Sequence, residues 1–154
     1  MANYASDSDL IDYQDKIFDY GIASFNTELT KATADVINLI KSDWWVNAAR
    51  NFSGLRETVD YGPLFPTLDV TYLNTAELVS LTVYRAFSAY IFPRLSKFQD
   101  TDGDAFTRMA EFYAKQYDKE WKVVSQLPLY DFDKDSQFED TERTGPLTRR
   151  LSRA

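Results

Sequence analysis

The chain contains no cysteine and no histidine. Without cysteine there are no disulfides, no thiol nucleophile and no thiolate ligands for zinc. Without histidine the commonest general base and transition-metal ligand is missing, which excludes serine–histidine catalysis and histidine-ligated zinc. Glycine is also sparse: five residues, scattered singly, offer no Gly-rich loop to cradle a phosphate. No apolar run is long enough to span a membrane. The opening MANYASDSDL has neither the positive region nor the apolar core of a signal peptide, so a soluble protein made in a cytoplasm is expected. Positive charge is in the minority. A net charge of −7 and a pI near 4.6 disfavour a sequence-reading nucleic-acid binder, which needs a basic face to displace counterions from phosphate.

What the chain does have is aromatic side chains and helical periodicity. Its 154 residues suffice for one domain with a real core, and 44 % hydrophobic content excludes a disordered chain. Ten Tyr, eleven Phe and three Trp exceed what one small core easily hides, which points equally to contacts with other chains and to a core that is simply aromatic. Leu10, Tyr13 and Ile17 recur at helical spacing between Ser6 and Tyr20, with Ser6 or Asp7 as cap and Gly21 as terminator. A second helix is expected from about Thr27 to Ala49 on the stripe Leu29, Ala32, Val36, Ile40 and Trp44. Asn74 and Glu77 form a capping-box signature for a third, largely apolar helix that ends at Pro93. A fourth starts near Asp104 and carries Phe106, Met109, Tyr113, Tyr117 (or Trp121) and Val124 before Pro128 stops it. Between the second and third helices, residues 51–73 read as a long loop or small β-hairpin. The expected fold is all-α: a four-helix bundle-like domain over 1–132 and an extended C-terminal arm over 133–154.

The run DFDKDSQFEDTE has the look of a metal-ligand set. Asp131, Asp133, Asp135, Glu139 and Glu142 stand at the first, third, fifth, ninth and twelfth positions of a calcium-binding loop, with Phe138 in its apolar slot. The turn position is Ser136 where such loops use Gly, and Gly145–Pro146 break the helix that should follow. A looser match, Asp100, Asp102, Asp104 and Glu111, shows how readily 24 acids produce such spacings, and Asp104 reads better there as a helix cap. Solvated acids at a hinge are therefore the preferred reading, with no metal and no cofactor assigned. A calcium-binding interaction module on 131–142 stands as the alternative. Asp131 and Asp133 can in principle work as acid and base, but no polar partner is gathered around them and no substrate class is suggested, so the chain is expected not to be an enzyme.

Beyond the acids, RTGPLTRRLSRA carries four arginines and no acid, hence +4, with Leu147 and Leu151 four residues apart. Such a segment cannot bury a core and is ordered, if at all, by a partner. The doublet Trp44–Trp45 cannot bury both rings on one face of an α-helix. One ring is expected in the core and the other against a neighbour or in a groove formed by the 51–73 loop.

The stretches YASDSDL (Tyr4 to Leu10), TKATADVINLI and AELVSLTVYRAFSAYIF resemble the adaptor proteins of tailed bacteriophages, also called head–tail connector or head-completion proteins. The later run FYAKQYDKEWKVVSQLPLYDFD is similar to their closing helix and the Tyr-Asp element after it. The resemblance covers about residues 4–133 in order of elements. It implies a structural protein of the virion, at the head–tail interface, assembled in the host bacterial cytoplasm. Its copies form a homo-oligomeric, twelvefold ring beneath the portal protein. DNA passes through that ring without sequence-specific binding, and a neck or tail-completion protein docks below. By the same resemblance the C-terminal arm docks on the portal, through Leu147, Arg149, Arg150, Leu151 and Arg153. Trp44, Trp45, Tyr61 and Phe65 are the expected subunit or neighbour contacts. Another phage neck or tail-completion protein is the related alternative.

Overall fold

The first helix begins where the sequence can satisfy its free amides. Ser6 is extended (φ −120, ψ 171), and the Asp9 carboxylate accepts both the Ser6 N–H and the Ser6 hydroxyl at 2.7 Å. In a computed structural model that describes residues 2–51, 67–98 and 103–139, this opens α1 (Asp7–Tyr13). The helix does not continue to Tyr20. Gln14 leaves it in extended geometry, and a 3-10 turn follows at Ile17–Tyr20. Gly21 ends that turn at φ 82, a left-handed conformation that glycine adopts without a Cβ penalty. Asp7 then reaches forward. It accepts the Phe25 N–H at 3.0 Å and the Ser24 hydroxyl at 2.7 Å, tying α1 to the start of the next helix.

The described residues are all-α, with four helical rods and no strand. The second rod is α2 (Asn26–Leu39), a π-turn at Ile40–Trp45, and α3 (Val46–Asn51). The third is α4 (Thr75–Ala86), a second π-turn at Phe87–Ile91, and α5 (Phe92–Phe98). The fourth is α6 (Gly103–Val124). In a bundle-like arrangement, α2 packs along α4, α4 and α5 pack against α6, and α1 lies on α4. The core has two lobes. One gathers Leu10, Phe25, Phe87, Phe92 and Phe106; the other gathers Trp44, Trp45, Leu78, Leu81 and Tyr130.

Pro93 does not end the third helix as expected; the rod runs on to Phe98. Proline lacks the N–H of the α-helical ladder and crowds the carbonyl four residues back. Here the ladder has already changed step. The Phe92 N–H bonds to the Phe87 carbonyl, five residues back, so the wider turn accommodates Pro93 just after it.

The Asn74–Glu77 capping box is not formed. The Asn74 N–H donates to the Leu129 carbonyl at 2.8 Å and its side-chain amide to the Pro128 carbonyl at 3.4 Å. A long-range partner has displaced the local one. Asp104 lies inside the first turn of α6 rather than before it. At the described end of the 51–73 segment, Val70–Tyr72 is a 3-10 turn whose N–H at Thr71 is held by Asp69 at 3.0 Å, not a strand. Tyr61 and Phe65 lie outside the described residues, as do Asp100, Asp102 and the arm residues Leu147, Arg149, Arg150, Leu151 and Arg153.

Phe87 is fully buried and Phe112 is 54 % exposed. Phe87→Ala should lower unfolding stability by about 3–5 kcal/mol, and Phe112→Ala by less than about 0.5 kcal/mol, as read by urea denaturation.

Candidate functional site

The residues that sequence analysis singled out converge where the chain leaves the last helix. After α6, Gln126 and Leu127 turn the chain back through hydrogen bonds to Val123 and Val124. Leu129 and Tyr130 then run antiparallel to Leu73, with the Asp131 N–H donating to the Tyr72 carbonyl at 3.0 Å. With the Asn74 N–H on the Leu129 carbonyl, that makes two backbone bonds where a sheet would have many. Side chains supply the rest of the attachment.

Both tryptophans are buried, Trp44 at 5 % exposed and Trp45 at 6 %, so the expectation that one faces a neighbour is corrected. The reason is the π-turn they end. Its i to i+5 bonding fits more residues into a turn, so successive side chains are separated by less rotation than in an α-helix. The Trp44 indole N–H donates to the Ser125 carbonyl at 3.1 Å, at the end of α6. Trp45 meets the segment beyond it, with its ring 4.8 Å from Tyr130 and stacked on Phe132 at 6.0 Å. Tyr72 completes the cluster against Tyr130, and the Lys134 ammonium sits 4.9 Å from the Tyr72 ring centre.

Asp131 is the hub of the acidic run, and it is not a solvated hinge residue. It is 3 % exposed. Its carboxylate accepts the backbone N–H of Lys134 at 2.6 Å, Asp135 at 3.2 Å and Ser136 at 2.9 Å. Asp133 in turn accepts the Asp135 N–H at 3.2 Å, and Asp135 the Gln137 N–H at 2.8 Å. To aim those amides inward, Lys134 and Ser136 adopt φ 62 and 68, the left-handed region that favours glycine. Ser136 thus takes the sharp turn that a calcium loop assigns to glycine. Burial alone would push the Asp131 carboxyl up. Donation by the Ser136, Lys134 and Asp135 amides outweighs it and holds the carboxyl below the ordinary aspartate value.

Carboxylate oxygens of Asp131, Asp133 and Asp135 lie within 4.8 Å of one another, which is the spacing of a candidate divalent-cation site. Asp133 and Asp135 are exposed, whereas Asp131 already uses its lone pairs on backbone amides. Residues 137–139 take no regular structure, and Glu142 lies outside the described residues. Spacing alone signalled the three acids. The burial of Asp131 had no signal in the sequence, because its partners are amides and an amide leaves no residue code.

A second polar cluster stitches the rods together. Asp35 on α2 accepts the Arg85 guanidinium Nε–H and the Tyr90 hydroxyl, both at 2.7 Å, and Glu28 pairs with Arg94. Arg85 stacks over Tyr117 of α6, whose phenol is pushed up to about 12 by burial. A neutral phenol and two ion pairs that join separate rods give this cluster a structural part.

Because the folded Asp131 carboxyl titrates below its unfolded value, its contribution is complete above the ordinary aspartate pKa and is lost as pH falls through the folded one. In acid unfolding, Asp131→Asn should be less stable than the parent at neutral pH, and the gap should close as pH falls through that window. Across the described residues no helix is long and apolar enough to cross a membrane. No protein-family model, curated protein or solved structure matches the chain.

Proposed function

We propose that the chain is a non-enzymatic adaptor of a phage neck, forming a ring below the portal and presenting its C-terminal arm to that partner. The observation that carries this reading is the locked junction at 128–137. An arm that must reach a partner needs a fixed point of departure, and the Trp45–Tyr130–Phe132 stack with the Asp131 amide cage supplies one. Charge supports the same reading. The chain is acidic overall, while residues 143–154 carry only positive side-chain charge, so the arm suits an acidic partner surface. An acidic ring wall also lets DNA slide through without sticking, since like charge prevents counterion-releasing contacts with phosphate.

The test is physical attachment. Deleting Gly145–Ala154 should leave the helical far-UV spectrum intact and abolish co-sedimentation with an assembled portal oligomer. Retained attachment would rule out the arm as the anchor, and failure of the full chain to bind any portal would remove the adaptor reading itself.

The acidic loop favours one second reading, a calcium-binding module. Its specific support is the clustering of Asp131, Asp133 and Asp135 with left-handed backbone at Lys134 and Ser136. Titration calorimetry separates the two. The adaptor reading expects no heat at millimolar calcium, whereas saturable heat that Asp133→Asn with Asp135→Asn removes would establish the module.

A further inference from the structure

Five large hydrophobic side chains are exposed among the described residues: Ile11, Tyr20, Phe112, Val123 and Phe138. Four of them fall in two stretches of opposite net charge. On α6, Phe112 (54 % exposed) and Val123 (58 %) are eleven residues apart, three turns on one face. Arg108, Lys115, Lys119 and Lys122 stand on or beside the same stripe, all exposed, and outnumber the acids that flank it, Asp104 and Glu111. Arg85 pairs with Asp35 and Arg94 with Glu28, and none of these α6 cations joins an ion pair among the described residues. The other surface is the α1 end and the 3-10 turn. It exposes Ile11 (45 %) and Tyr20 (39 %) among Asp12, Asp15 and Asp19, with Lys16 the one cation in that stretch.

We propose that the α6 stripe is the docking surface for the α1–3-10 surface of a second copy of this chain. Each side offers apolar side chains rimmed by charge, and the two rims are of opposite sign, which sets register and rejects like-on-like pairing. Two different patches meeting make a heterologous contact, the kind that closes a ring or extends a file of subunits. The inference deepens the ring reading above and rests on it for closure. The pairing of surfaces stands on the exposure and charge just given.

A chain without cysteine allows a direct test. Ile11→Cys and Phe112→Cys variants of the full chain, both at exposed positions, are mixed at high concentration with a short bis-maleimide. The expected result is a cross-linked heterodimer in the mixture, about tenfold above a mixture of Phe112→Cys with Lys41→Cys, and little dimer from either variant alone. Adding Lys115→Glu with Lys119→Glu to the Phe112→Cys chain should remove that excess. Adding Asp12→Lys with Asp15→Lys to its partner should restore it. No excess over the Lys41→Cys control would overturn the proposal, as would equal cross-linking of Phe112→Cys with itself. Far-UV circular dichroism verifies that each variant is folded. Cross-linking reports whether copies meet here, and portal co-sedimentation reports whether the assembly docks, so the two readings fail separately.

Discussion

The rest of the structure depends on burying two adjacent indoles at the end of one helical rod. An α-helix turns too far between neighbours for Trp44 and Trp45 to share a core. The π-turn at Ile40–Trp45 removes that conflict, and each ring then does a different job. Trp44 grips the end of α6 through its N–H, and Trp45 covers the chain that follows α6. The second rod therefore sets both where the fourth stops and where the C-terminal segment runs. π-turns are uncommon and often sit at functional sites. Here the structural reason is concrete, since each of the two occurs at a place where an α-ladder would fail: one at a Trp doublet, the other just before a proline.

From that grip the junction follows in sequence. Tyr130 docks beside Leu73 and Tyr72, Phe132 stacks on Trp45, and the buried Asp131 between them needs donors. It finds them in its own next turn, at the cost of two left-handed residues, Lys134 and Ser136. Left-handed geometry at non-glycine residues costs of order 1–2 kcal/mol each, so it persists only where surroundings demand it. The demand is the carboxylate, since a buried acid with no donors would be far less tolerable. The same cage that fixes the exit of the chain draws the carboxylates of Asp131, Asp133 and Asp135 together.

Much of the fold was legible in helical periodicity. Leu29, Ala32, Val36, Ile40 and Trp44 form the buried stripe their spacing implied, as do Phe106, Tyr113 and Val124 on α6. Gly21 stops the 3-10 turn by taking φ 82, the conformation its position suggested. What was not legible depends on distant partners. Asn74 abandons its local cap for carbonyls at Pro128 and Leu129, more than fifty residues away. Pro93 is read as a stop because sequence patterns assume an α-ladder, and the turn before it is not one. Trp45 and Asp131 were each misplaced for the same reason: burial of a large ring or a charge is decided by what folds back over it.

The central claim is that the segment after α6 is held to the bundle as part of the native core. Native-state hydrogen exchange of the Asn74, Asp131 and Ser136 amides tests this most directly, because each donates one of the bonds that close the junction. The expected result is protection close to that of the α2 and α4 core amides, lost only on global unfolding. Exchange at rates of an exposed loop would show the junction to be open, and would contradict the claim that the chain is held to the bundle through Ser136.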